Sequence, residues 1–128
     1  MIISDVNVNA IINYSFGIAG FFIYVLLLVL MIVFKKKQVG PNHVFGYRTR
    51  FSLSSEENWK WSNDTFIKIM FIGGPIGLTI HIIIFIFAVI YNWPGWVLLL
   101  TMFSPVFLIL GAAPFIEIFG RKKFRNNK

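Results

Sequence analysis

Residues 10–34 of the chain read AIINYSFGIAGFFIYVLLLVLMIVF, a run of 25 positions without a charged side chain. An α-helix rises about 1.5 Å per residue, so about 20 apolar residues cross the roughly 30 Å hydrocarbon core of a bilayer. The run is long enough to span a membrane and longer than most core helices of soluble domains. It predicts a first transmembrane helix over residues 10–34.

Two further apolar runs follow along the chain. Residues 69–91 contain His81 as the only side chain that titrates near neutral pH, and residues 96–116 carry no charge. With their flanks they predict transmembrane helices over residues 66–91 and 96–119. The predicted fold is a single all-α membrane domain over residues 1–128. It has three spans, a partly helical cytoplasmic loop over residues 35–65 and a basic tail over residues 120–128.

The composition agrees with a bilayer protein. The chain is 57% hydrophobic, with a mean hydropathy of +0.74, which exceeds what a soluble domain of 128 residues can bury. No cysteine is present, so disulfides and thiol chemistry are excluded. The net charge of +7 is typical of some nucleic-acid-binding proteins. In a membrane protein basic residues gather on the cytoplasmic face instead, and we expect no nucleic-acid partner.

The distribution of basic residues predicts the orientation. The loop carries Lys35, Lys36, Lys37, Arg48, Arg50 and Lys60, and the tail carries Arg121, Lys122, Lys123, Arg125 and Lys128. The segment before the first run and the link between runs two and three contain no Lys or Arg. Because short basic loops stay inside, we expect the N-terminus outside and the C-terminus in the cytoplasm.

Local signals predict how the spans are joined. Trp93-Pro94-Gly95-Trp96 fits a type II turn with proline and glycine at its centre. Ser54 followed by Glu57 fits a capping box that begins a helix at about Ser55. That helix either lies at the membrane interface or continues directly into the second span.

Two features inside the spans have both structural and functional interpretations. His81 is a functional-site candidate because ionisable groups are rare in hydrocarbon. Alternatively, it is a neutral imidazole bonded to a neighbouring helix, with Thr101 or Ser104 as partner. Gly73 and Gly77 form a GxxxG pair, which serves packing within the chain, a homo-oligomer face or a hinge at Pro75.

The loop segment PNHVFGYRTR, residues 41–50, mixes aromatic residues with arginines. One interpretation is an interfacial anchor, with arginines on lipid phosphates and aromatic rings among the headgroups. The other is a functional surface of the loop.

With its continuation FSLSSEENW, the segment resembles the signature of the SdpI family of bacterial membrane proteins, placed in that family between one helix and a helix pair. The matching residues are Asn42, Gly46, Arg48, Thr49, Ser52, Ser54, Glu57 and Trp59. Arg50 stands where the family often has proline. The candidate functional loop that the resemblance implies consists of these matching residues except Ser52, together with Tyr47, which is adjacent to two of them.

The resemblance implies a non-catalytic protein that gives immunity against a membrane-active toxin peptide and signals through a cytoplasmic regulator. It implies no cofactor and no metal. The residues themselves offer little for catalysis, because two separated histidines and one acid near a membrane span do not converge. A small transporter or channel subunit remains the alternative, and it would require oligomerisation.

The predicted orientation can be tested because the natural chain contains no cysteine. A cytoplasm-active reporter fused after Lys128 should give signal, and Pro94→Cys should react with a membrane-impermeant maleimide on intact cells. Labelling of position 94 only after lysis would contradict the predicted orientation.

Overall fold

The computed structural model of the protein describes residues 7–36, 41 and 46–125, and all regular structure within them is helical. The helices are α1 (Val8–Lys36), α2 (Glu56–Ile90), α3 (Trp96–Met102) and α4 (Ser104–Arg125), with a 3₁₀ turn at Ser52–Ser54 before α2. By length and hydropathy, α1, α2 and α4 can each cross a membrane. The predicted all-α membrane fold is confirmed.

The helices pack with α2 at the centre. Helix α1 lies along α2, α4 packs on α2, and α3 contacts both α1 and α2. The buried apolar cluster lies toward the end that carries residues 46–55, here called the loop side, and consists of Leu27, Met31, Tyr47, Met70, Ala112 and Ile116. Large apolar side chains such as Ile72 (66% exposed) and Phe107 (63% exposed) point outward, as a lipid-facing surface requires.

Helix α2 runs without interruption from Glu56 to Ile90, so the helical part of the loop continues into the second span. Its N-cap is Ser55, whose hydroxyl accepts the Asn58 N–H at 3.1 Å. The expectation that Ser54 and Glu57 form the capping box was wrong by one residue. Ser54 is held in the preceding 3₁₀ turn, where its hydroxyl donates to the Phe51 carbonyl at 2.6 Å.

The link between α2 and α3 differs from the predicted type II turn. That turn needs a positive φ at Gly95, whereas Gly95 is in the right-handed helical region at φ −59° and ψ −21°. The positive φ occurs at Asn92 instead, at 50°. Gly95 is required for a different reason, because a Cβ there would overlap the Ile12 side chain of α1.

The third predicted span consists of two helices that meet at Phe103. Pro105 has no N–H, so it cannot bond to the Thr101 carbonyl four residues earlier. The Ser104 hydroxyl donates to that carbonyl at 2.8 Å, and the Tyr24 hydroxyl of α1 reaches it at 3.4 Å. The break is therefore satisfied by side chains, as hydrocarbon demands. Pro114 lies inside α4 without ending it.

The glycines of the spans serve packing within the chain. Gly73 faces Leu108 of α4 and Gly77 faces the Tyr24 ring of α1, so both members of the GxxxG pair have intramolecular neighbours. In α1, a Cβ at Gly20 would overlap the His81 ring. At the loop-side end of α4, the Arg121 guanidinium forms an ion pair with the Glu117 carboxylate one turn earlier, at 3.0 Å.

Two glycines give a matched test of this close packing. Gly20→Ala should destabilise the fold by about 1–3 kcal/mol, because the methyl group overlaps a buried imidazole held on both sides. Gly111→Ala should leave stability unchanged or slightly higher, because nothing lies within 4 Å of a Cβ at that position. Unfolding in detergent measures both variants, and equal stabilities would contradict the described α1–α2 contact.

Candidate functional site

The loop that matches the family signature is described from Gly46 onward and folds back on α2. Gly46 has φ +109°, a conformation that residues with a side chain rarely adopt. A Cβ there would also approach the Asn63 amide and the Trp59 indole closely. Trp59 is buried, so its indole packs under the loop inside the protein and is not an exposed interfacial anchor. Glycine is therefore required at position 46 for conformation and for space.

Asn63 of α2 fixes the loop backbone through its side-chain amide. Its Oδ1 accepts the Tyr47 N–H at 2.6 Å, and its Nδ2 donates to the Trp59 carbonyl at 3.0 Å and the Tyr47 carbonyl at 3.4 Å. The amide thus pairs both backbone groups of one loop residue, much as a neighbouring strand would. These bonds are buried, so leaving either partner unpaired is costly.

Tyr47 connects the loop to α4. Its hydroxyl donates to the Ala113 carbonyl at 3.0 Å, and its ring packs on Phe66 with centroids 5.5 Å apart. Burial raises the pKa of the Tyr47 phenol above its usual value of 10.0, the Glu117 carboxylate raises it further, and a bond with Thr49 partly opposes both. Since the phenol keeps its proton below that value, the bond to α4 persists at neutral pH and weakens only in strong alkali.

Thr49 and Ser52 form a reciprocal pair that shapes the next turn. The Ser52 hydroxyl accepts the Thr49 N–H at 2.8 Å and donates to the Thr49 carbonyl at 3.0 Å. The Thr49 hydroxyl accepts the Ser52 N–H at 3.2 Å. Short hydroxyl side chains close such turns because they reach backbone groups three residues away. Ser52 is fully buried, so the turn belongs to the folded core.

An aromatic cluster joins this turn to the end of α4. The Phe51 ring lies 6.2 Å from Trp61 and 6.0 Å from Phe124, and Gly120 leaves the space that it occupies. The Lys123 ammonium lies 5.5 Å from the Trp61 ring centroid. The loop is therefore fixed to α2 by Asn63 and to α4 by Tyr47 and Phe51.

The charged residues of the loop point the other way. Arg48 and Arg50 are exposed, as is Glu57 in the first turn of α2. Ser54 is also exposed and accepts the Asn58 side-chain amide at 2.8 Å. Asn42 lies outside the described residues. Of the predicted loop residues, the structure brings Gly46, Tyr47 and Trp59 together, with Tyr47 and Trp59 buried, while Arg48 is exposed.

His81 is separate from this loop, because 22 residues of continuous α2 after Trp59 correspond to about 33 Å. It is only 1% exposed. Its Nε2 lies 3.0 Å from the Gly17 carbonyl of α1, and its Nδ1 lies 2.8 Å from the Thr101 hydroxyl of α3. A carbonyl only accepts, so Nε2 carries a proton and donates it to the Gly17 carbonyl.

A small polar cluster surrounds the imidazole. Tyr24 packs beside it with ring centroids 5.8 Å apart, and its hydroxyl bonds to the Ser104 hydroxyl. The Thr101 hydroxyl is also 3.0 Å from the Leu98 carbonyl, so its one proton serves either that carbonyl or His81. This arrangement is the helix-bonded alternative foreseen for His81, with Thr101 as the partner.

No group of three or more potential metal ligands occurs among the residues that the structure describes.

Asn63, which holds the loop, was missed by sequence reasoning. A signal existed, because Trp59, Asn63 and Phe66 recur at helical spacing on one face of α2, with a polar amide among aromatic residues.

Three apolar helices with an ordered loop fixed to two of them define a polytopic helical membrane protein. The sequence model of the SdpI/YfhL protein family matches residues 38–114, which include the loop, the second span and most of the third. The chain belongs to the SdpI/YfhL family. Neither a curated protein nor a solved structure matches it.

The role of Asn63 can be tested by exchange of the Tyr47 amide hydrogen. Asn63→Ala should deprotect this amide and destabilise the loop by about 1–3 kcal/mol, because a buried N–H loses its acceptor. Asn58→Ala is the control, since its side chain makes only an exposed bond to Ser54. Unchanged protection of Tyr47 in Asn63→Ala would show that the amide does not hold the loop.

Proposed function

We propose that this protein gives a bacterial cell immunity against a membrane-active toxin peptide. It acts as a non-catalytic binding protein, and its signature loop is its cytoplasmic functional surface. The observation that carries the proposal is the division of the loop into two faces. Tyr47 and Phe51 are buried against the helices, whereas Arg48 is exposed on a backbone fixed by Asn63. A guanidinium on a fixed backbone is suited to bidentate contact with a carboxylate or phosphate.

The division into two faces weighs against the anchor interpretation. An interfacial anchor places its aromatic rings in the lipid headgroup layer. Here the Tyr47 ring packs on Phe66 and the Phe51 ring packs on Trp61 and Phe124, inside the protein. The aromatic residues of the loop therefore pack inside the protein, and the arginines lie on its exposed face.

Membership of the SdpI/YfhL family supports the proposal at a coarser level. It supports a membrane protein of that family, and the family is not known as an enzyme family. In the proposed orientation the N-terminus is outside, and the loop and the C-terminus face the cytoplasm. The loop would then be the surface that a cytoplasmic regulator contacts when the toxin peptide is present.

Arg48 and Arg50 provide a matched pair of variants. We expect Arg48→Lys to insert at normal levels and to lose protection, because a lysine point charge cannot reproduce the planar fork of arginine. Arg50→Lys should remain protective, because Arg50 lies outside the family pattern. The measurement is survival of cells challenged with the toxin peptide against which the wild-type protein protects, at matched protein levels in the membrane.

Two outcomes would redirect the assignment. Full protection by Arg48→Lys would reduce the segment to a lipid anchor, since one positive charge of either kind contributes about 1 kcal/mol at an anionic surface. Ion or solute flux in proteoliposomes that contain the purified protein would instead favour the transporter or channel subunit.

A further inference from the structure

A groove of about 370 Å³ opens on the outer surface between the end of α1 and the first half of α2. Its lining combines charged and apolar side chains: Lys35, Asp64, Ile67, Lys68, Phe71 and Ile72. None of these residues belongs to the signature loop. The groove is therefore a second surface of the protein, on the side of α2 that faces α1.

The groove lies at the height of the membrane boundary on the loop side. Lys35 is the second-last residue of α1, directly after the apolar run 10–34, and Lys68 directly precedes the apolar run 69–91. Lysine side chains at such positions place their ammonium groups among lipid headgroups. Phe71 and Ile72 lie within the second apolar run, at hydrocarbon depth. One groove thus joins a cationic rim to an apolar floor that continues into the bilayer.

The charges of the rim define what fits. Among the described lining residues, two ammonium groups outnumber one carboxylate, and an anionic phosphodiester offsets this excess of positive charge. The Lys35 ammonium lies 5.6 Å from the centroid of the Phe71 ring, an arrangement that holds it over the groove floor. A lipid with an anionic phosphate and acyl chains matches the lysines and the floor, respectively.

We propose that this groove binds one anionic glycerophospholipid of the phosphatidylglycerol class. The phosphate lies between Lys35 and Lys68, and one acyl chain follows Phe71 and Ile72. A zwitterionic lipid fits less well, because its own ammonium group leaves the net positive charge of the rim unbalanced. This inference is independent of the immunity function proposed above, since it involves neither Arg48 nor the toxin peptide.

Native mass spectrometry of the full chain, released from nanodiscs with equal phosphatidylglycerol, phosphatidylethanolamine and phosphatidylcholine, counts the retained lipids. We expect one retained phosphatidylglycerol in the wild-type protein. Lys35→Gln together with Lys68→Gln should lower its retention about fivefold per lysine removed, the usual effect of one basic residue near an anionic surface. The control, Lys122→Gln with Arg125→Gln, removes two exposed positive charges from the α4 end and should retain the lipid.

Asp64→Asn keeps the experiment decisive if the double lysine variant folds poorly. This variant should retain more phosphatidylglycerol than the wild-type protein, because a carboxylate no longer repels the phosphate. Equal losses in the lysine pair and in the α4 control would show a diffuse charge effect and overturn the proposed site. Preferred retention of phosphatidylethanolamine by the wild-type protein, or displacement of the lipid by soluble glycerol phosphate alone, would overturn the proposed ligand.

Discussion

The fold depends on the paired bonds of the His81 imidazole, which joins three helices at one point inside the membrane. One ring nitrogen donates to the Gly17 carbonyl of α1 and the other faces the Thr101 hydroxyl of α3. Hydrocarbon offers no water to replace either partner, so the ring must be satisfied by protein. Gly20 opposite the ring lets α1 come close enough for the bond, and the ring fills the space that this glycine leaves.

The same constraint explains the broken third span. Pro105 leaves the Thr101 carbonyl without its helical donor, and Tyr24 and Ser104 replace that donor. Thr101 thus contacts His81 through its hydroxyl and Tyr24 of α1 through its carbonyl, next to the break between α3 and α4. These polar contacts replace backbone hydrogen bonds and so allow the helix to break inside the membrane. The main role of this polar cluster is to satisfy the backbone groups at the break, and it is not arranged as a site open to substrates.

The spans could be predicted because their signal is local: an uncharged run of sufficient length is read directly from the sequence. Details that depend on distant contacts could not. The N-cap of α2 is Ser55 and not the predicted Ser54, because the Ser54 hydroxyl donates to the Phe51 carbonyl. Phe51 is in turn positioned by its contact with α4. Gly95 was assigned to a turn conformation, although the approach of α1 is what excludes a side chain there.

The candidate site was predicted in part, and for a similar reason. The signature identified Gly46 and Trp59, and Tyr47 was included as a neighbour of the matching residues; the structure brings these three together. It could not identify Asn63, whose role exists only once the loop lies on α2. The segment mixes aromatic and arginine residues in a way that fits both an anchor and a folded surface. The burial of the Tyr47 and Phe51 side chains, which bears on this choice, is a tertiary property that the sequence does not show.

Helix α2 has no joint between its membrane part and its polar part. Its 35 residues measure about 52 Å, of which the hydrocarbon core covers only about 30 Å. The remainder extends past the hydrocarbon core and carries Asn63 and hence the loop. A change in the tilt of α2, such as one imposed by a thinner or thicker bilayer, therefore tilts the part of the helix that holds the loop as well. The thickness of the membrane would therefore affect the orientation of the surface on which Arg48 lies.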